Sequence, residues 1–209
     1  MAIYLLRHGE TENNRKHITQ SLTDDCELTG AAKLEMMVKS TEVKSALRDN
    51  VILYVSPMLR AKETASILVK QLMCENTHIN SLSINFVDDI REVDFGKFGG
   101  QHEDIVIDGT TMQQYRTLMQ QAYYSGIDVQ YPNGESFMQI CKRANDILQR
   151  VRKTAIAQPH ADIVIVGHNR IFRHILVQCG VLQPEAMFKS KLPHAELVQI
   201  PIENIVADI

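Results

Sequence analysis

Three positions in the chain place imidazole or guanidinium groups just beyond short apolar runs. Arg7-His8-Gly9 follows Ala2 to Leu6, Arg60 comes shortly after Val51 to Val55, and His168 follows Ile163 to Val166. An imidazole can carry a proton or act as a nucleophile. A planar guanidinium holds an oxyanion through two parallel N–H bonds. Gly9 lets the backbone turn tightly beside His8. Taken singly these residue types are ordinary: an isolated histidine is most often satisfied by backbone groups, and an isolated arginine most often covers a helix surface. Their place after the apolar runs sets them apart.

The runs are rich in β-branched residues, and a helix-like stretch follows each, which is the punctuation of βα units. Thr29 to Leu47 carries apolar Leu34, Met37 and Val38, which suits an amphipathic helix whose apolar stripe faces a core. Ser56-Pro57 reads as N-cap and first position of a helix that runs through Leu72. A further helical stretch containing Asp146, Ile147, Leu148 and Val151 begins after Asn133-Gly134 and ends before Pro159. Gly96, Gly99 and Gly100 mark a loop, and Met112 to Ala122 looks helical. Leu197 to Ile202 reads as a last strand, at an edge because Pro201 cannot donate to a ladder. Strands separated by helices imply an α/β fold, a three-layer sandwich with a mostly parallel central sheet covered by helices on both faces. Functional groups in such sheets collect beyond the carboxyl ends of the strands, where Arg7, His8, Arg60 and His168 stand.

The chain's 209 residues favour one domain, 1–209, with a core that needs no disulfide staples. Lys+Arg 22 against Asp+Glu 25 gives a net charge of −3, and 44% of residues are hydrophobic, which excludes disorder and a globally basic nucleic-acid binder. Cys26, Cys74, Cys141 and Cys179 are far apart with no CxxC pair, so they read as reduced and structural. No run approaches the roughly 18 apolar residues of a membrane helix. The N-terminus also lacks the basic and apolar regions of a signal peptide. A cytoplasmic protein with no membrane partner is the expectation. His168 and His174 are six apart and His102-Glu103 stands alone, so no metal-ligand spacing exists and no cofactor is implied.

Five separated segments resemble the histidine phosphatase (phosphoglycerate mutase-like) superfamily, in family order. Arg7-His8-Gly9-Glu10-Thr11 with Asn14 matches its RHG signature, and Ser56-Pro57-Met58-Leu59-Arg60-Ala61 with Thr64-Ala65 matches its SPLxRAxxTA element. Ile90 to Gly96 resembles the segment that carries the family's acid, here Glu92. Pro132 to Ser136 resembles the GES element, and Val166-Gly167-His168 the second catalytic histidine. The likeness extends from residue 5 to about residue 176.

The resemblance implies phosphomonoester chemistry, and the residue types suit it. A phosphate dianion repels nucleophiles until its oxygens are neutralised, the work of Arg7 and Arg60, with His168 as a third donor in its imidazolium form. A neutral His8 nitrogen then attacks phosphorus to form a phosphohistidine, while its other nitrogen donates to a backbone carbonyl. Glu92 protonates the departing oxygen and afterwards activates water. Asn14, Ser21, Asn169 and Arg170 are candidate substrate-binding residues. Glu135 and Ser136 read either as contacts or as the capped first turn of the following helix.

Several family positions are altered: Phe98 and Gly99 replace the usual tryptophan and glutamate, Ser21 a loop glycine, and Asn169-Arg170 a pair of small residues. Arg170 and Lys97 would add positive charge at the rim, for a substrate with a second anionic group, or else pair on the surface. His102 is a further candidate for substrate contact, whereas His17, His78, His160 and His194 read as surface or loop residues. Gly100 to Tyr131 contains one arginine, Arg116, and no proline, unlike the Arg- and Pro-rich insertion of cofactor-dependent phosphoglycerate mutases. Hydrolysis of a small phosphorylated metabolite is therefore the preferred reading. Mutase-type phosphotransfer and a non-catalytic phosphate-binding module remain the alternatives.

Overall fold

The computed structural model describes residues 1–75, 77–189, 191–201 and 203–206. Its elements run β1 (Ile3–Arg7), α1 (Glu12–Arg15), α2 (Gly30–Ala46), β2 (Asn50–Val55), α3 (Leu59–Leu72) and β3 (Ser81–Phe86). A small hairpin, β4 (Val106–Ile107) and β5 (Thr110–Thr111), precedes α4 (Met112–Ser125), α5 (Phe137–Ala157), β6 (Asp162–Gly167), α6 (Asn169–Gln178), β7 (Leu197–Ile200) and α7 (Glu203–Val206). The main sheet has the order β3-β2-β6-β1-β7, with β7 antiparallel to β1 and the other pairs parallel. The expected α/β sandwich with a mostly parallel sheet is the fold.

The period-2 alternation of the strands divides the core. Ile3, Leu5, Ile163 and Ile165 face one layer, with Ile147 of α5 and Ile171 of α6. Tyr4, Leu6, Val164 and Val166 face the other, with Met36 of α2 and Leu68 of α3. β6 is buried along its whole length, as a central parallel strand covered on both faces must be. Among the described residues no helix is long and apolar enough to cross a membrane.

Three expectations need correction, and one strand was not foreseen. The α2 face formed by Leu34, Met37 and Val38 points to solvent, with exposures of 67%, 58% and 65%. Ala32, Met36, Ser40 and Val43 are the buried set, on a helix that packs against α3. Ser56 does not cap α3, which starts two residues after Pro57; the Ser56 hydroxyl accepts from Met58 N instead. Strand β3 carries no strong sequence signal, because it is an edge strand with both faces largely exposed. The last strand ends at Ile200, before Pro201, and Ile202 lies outside the described residues.

Candidate active site

The parallel strands deliver their ends to one place. His8 follows β1, and its backbone N–H donates to the carbonyl of Gly167 at the end of β6, 3.0 Å away. The His8 and His168 rings lie 5.1 Å apart, both buried. His8 Nδ1 is 2.8 Å from the Gly9 carbonyl oxygen, to which it donates, so the neutral ring keeps its Nε2 lone pair free. Burial, reinforced by Arg60 and Arg7, holds the His8 pKa well below the usual histidine value. His8 is therefore an unprotonated imidazole at neutral pH.

His168 is fully buried, and its Nε2 lies 2.7 Å from the Ser56 hydroxyl. The same hydroxyl accepts from Met58 N, and with its own proton given to Nε2 the ring carries its hydrogen on Nδ1, an atom without a hydrogen-bond partner among the described residues. Burial first, then Arg60, His8 and Arg7, depress the His168 pKa well below the usual histidine value. The expected imidazolium is thus corrected: in this pocket His168 is neutral, because burial and the neighbouring Arg60 and Arg7 disfavour its charged form.

The arginines are held by different devices. Arg7 is buried, and one of its terminal nitrogens donates to the Leu192 carbonyl. Burial lowers its pKa to about 10, partly offset by Glu92. Arg60, on the first turn of α3, pairs with Asp25 at 2.7 Å, and a second Asp25 oxygen accepts from Leu59 N at the start of that helix. Negative charge at a helix N-terminus is favourable, so Asp25 fixes both the guanidinium and the turn that carries it.

Glu92 lines the same pocket. Its Oε1 accepts from Val93 N at 2.9 Å and Ile171 N at 3.2 Å, and its Oε2 from Arg170 N at 3.1 Å. Two of these donors are free amides of the first turn of α6. The chain around Glu92 is clamped by Arg143, whose Nη1 donates to the carbonyl oxygens of both Asp89 and Arg91 at 2.6 and 2.7 Å. Glu135 completes the clamp: it pairs with Arg143 at 2.6 Å and accepts from Asp94 N at 2.8 Å. Ser136 caps α5 in a capping box with Gln139. Of the two readings of Glu135-Ser136, the geometry therefore shows local structure, one step behind Glu92. Gly96, at φ +54°, lies against the Pro132 carbonyl, where a Cβ would come within 2.0 Å, so only glycine lets these segments meet.

The remaining candidates divide. Asn14, Asn169 and Arg170 line the pocket, a cleft of about 450 Å³. The Asn14 side-chain oxygen is engaged in capping α1 through Thr11, and that of Asn169 accepts from Leu192 N. Ser21 is a correction: its buried hydroxyl donates to Asp94 at 2.9 Å and accepts from Phe95 N, outside the pocket lining. Lys97 pairs on the surface with Asp108 at 2.8 Å, and His102 contacts Asp104; neither lines the pocket.

His194 is not a bystander, since its ring lies 5.7 Å from His8, and burial with Arg7 nearby lowers its pKa to about 4. Arg116 and Arg173 also line the pocket. The i, i+3 spacing of Arg170 and Arg173 on one helix was a signal that they share a face; His194, in a loop far along the chain, offered none. Among the described residues no group of three or more His, Cys, Asp and Glu side chains is placed to hold a metal ion.

A doubly covered α/β sheet gathers two neutral histidines and buried arginines at its carboxyl edge, an arrangement whose donors could hold an oxyanion beside an imidazole. The chain belongs to the histidine phosphatase superfamily (branch 1), whose family model matches residues 3–206. It is 27% identical over 152 residues to the probable phosphoglycerate mutase GpmB of Escherichia coli, an alignment covering 73% of this chain and 63% of that protein, so less than two thirds of the relative's length is matched. The α-ribazole phosphatase of Shigella flexneri superposes with a TM-score of 0.68 at 21% identity, covering 99% of this chain and 93% of the other. A phosphoserine phosphatase of Entamoeba histolytica, in complex with phosphoserine, superposes with a TM-score of 0.70 at 19% identity over 95% and 89%. At these identities the two structures share the fold.

Proposed function

We propose that the protein is a metal-independent phosphomonoesterase that hydrolyses a small phosphorylated metabolite through a phosphohistidine on His8. The observation that carries this reading is the state of His8: neutral, its Nδ1 spent on Gly9, and its Nε2 free beside Arg7 and Arg60. Nε2 forms a bond to phosphorus while the bond to the leaving oxygen breaks, and protonated Glu92 gives that oxygen its proton. The Glu92 carboxylate then takes a proton from water as the water oxygen attacks the phosphohistidine, which releases phosphate and restores neutral His8. Arg7, Arg60 and His168 Nδ1 supply the donors for the charge spread over the phosphoryl oxygens in transit. The arginines provide the positive charge that a metal ion supplies elsewhere.

The names of structural neighbours, an α-ribazole phosphatase and a phosphoserine phosphatase, support hydrolysis of a small metabolite. The mutase name of the E. coli relative favours a second reading, in which the phosphohistidine passes its group to an acceptor hydroxyl rather than to water. The test is p-nitrophenyl phosphate hydrolysis in excess EDTA, with His8→Ala as control. The expected result is undiminished release of inorganic phosphate by the wild type and a loss of about 10³-fold or more in the variant. Activity abolished by EDTA contradicts the metal-free cycle, and phosphate appearing only on an added acceptor alcohol favours the mutase reading.

A further inference from the structure

The pocket holds more positive charge than one phosphoryl group uses. Arg7 and Arg60 stand with His8, whereas Arg170 and Arg173 enter from the first turns of α6 and Arg116 from α4. Arg170 is 4% exposed, and its Nε and Nη1 have no hydrogen-bond partner among the described residues. Its guanidinium is held 5.3 Å from the ring centre of Phe188, a stacking contact that orients the group without using its donors. Arg116 likewise has a buried Nε without a partner.

Two carboxylates line the same pocket. Glu92 is occupied by three backbone N–H groups, and Glu103 lies 4.0 Å from Arg116 while also contacting His17 at 3.2 Å. The Tyr131 hydroxyl adjoins the cluster and is neutral, its pKa raised by burial. The pKa of Arg173 falls to about 8 and that of Arg116 is lowered too, through burial first and then repulsion from Arg170. The buried donors of Arg170 and Arg116 that find no partner among the described residues are costly unless a ligand supplies the missing charge.

We propose that Arg116, Arg170 and Arg173 form a second anion subsite, so that the substrate is a phosphomonoester whose organic part carries a further carboxylate or phosphate. The proposal rests on the reading of Arg7, Arg60 and His8 as the phosphoryl site. The two guanidiniums beside His8 take the phosphate that is transferred. The second group docks on the α6 side, against the guanidiniums that line the cleft there. Arg170 and Arg173 are then specificity-determining residues, placed on the helix whose amides also hold Glu92, so that binding of the second anion and placement of the acid share one element.

The test compares 3-phosphoglycerate with glycerol 3-phosphate, three-carbon esters that differ by a carboxylate against a hydroxymethyl group. 1,3-Propanediol bisphosphate tests a second phosphate in place of the carboxylate. The expected kcat/KM for at least one doubly anionic substrate is about tenfold or more above that for glycerol 3-phosphate, and the better of the two identifies the anion. Arg170→Gln and, separately, Arg116→Gln should each lower that ratio about tenfold. A wild-type ratio near one overturns the subsite, as does a uniform loss on all three substrates in both variants. Calorimetric binding of the same compounds to the His8→Ala protein reads the subsite without turnover. A binding preference for the doubly anionic compounds there supports it even if the wild type proves inactive on p-nitrophenyl phosphate, an outcome that would count against the hydrolase reading alone.

Discussion

The Nδ1 of His8 donates to the carbonyl of its own neighbour, Gly9, across 2.8 Å. That short local bond fixes the tautomer, and a ring with its proton on Nδ1 presents Nε2 as a lone pair. Burial first, then Arg60, Arg7 and His194, oppose protonation of the ring. Nitrogen-detected NMR on the ligand-free protein should therefore show Nε2 of His8 unprotonated as the pH is lowered through 6.5. An imidazolium signal for His8 at that pH would contradict the neutral nucleophile.

The same histidines set how stability responds to acid. His8, His168, His174 and His194 all have folded-state pKa values below the usual one. On acidification the unfolded chain takes up protons near pH 6.5 before the folded chain does, so stability is complete above about pH 6.5 and declines below it. Each of the three fully buried histidines adds a slope of up to about 1.4 kcal/mol per pH unit, and the partly exposed His194 adds less, between about pH 6.5 and its own pKa. Urea unfolding at pH 7.5 and 5.5 should show a clear loss at the lower pH; equal or greater stability there would contradict the neutral buried state.

Glu92 is held by backbone donors from two elements, so replacing its acid function need not move it. Glu92→Gln should slow hydrolysis of an alkyl phosphate by about 10²- to 10⁴-fold, and hydrolysis of p-nitrophenyl phosphate, whose leaving group needs little proton help, by much less in the first step. Pre-steady-state release of nitrophenol separates that step from the water attack. An unchanged rate on the alkyl ester would mean that another group supplies the proton.

Much of the site was legible because it sits at strand ends. Buried strands such as β6 announce themselves as β-branched runs, and a residue directly after such a run must stand at the sheet's carboxyl edge; His8 and His168 needed nothing more. Arg60 was legible from its motif rather than from its pattern. What escaped was the support. Asp25, on Arg60, and the Leu192 carbonyl, on Arg7, come from loops far away in the chain, and no local periodicity encodes such a pairing. Ser56 looked like a helix cap because Ser-Pro so often is one, yet its hydroxyl serves His168. The α2 stripe misled because the face packed towards α3 carries Ala32, Met36, Ser40 and Val43 and leaves Leu34, Met37 and Val38 outside. Strand β3 was missed since an exposed edge needs no hydrophobic alternation.

Arg143 acts at one remove. With Glu135 it ties the Asp89 to Glu92 backbone in place, and both side chains are largely buried. Arg143→Met should destabilise the fold by about 3–5 kcal/mol, because Glu135 is left as a buried charge. Adding Glu135→Gln to that variant should cost less than the sum of the single changes, since the two residues form one network. In the single variant, kcat for an alkyl phosphate should fall more than kcat for p-nitrophenyl phosphate, the signature of a displaced acid. Additive stabilities, or equal losses on both substrates, would reduce Arg143 to a general stabilising role.

The central claim is a covalent bond between phosphorus and His8 Nε2. The direct measurement is rapid acid-free quench of the enzyme during turnover of a ³²P-labelled substrate, followed by exposure of the protein to acid and to base and by mapping of the labelled peptide. The account predicts a stoichiometric label on the peptide containing His8, lost in acid, stable in base and absent from His8→Ala. An acid-stable adduct, or a label on any other residue, would contradict it.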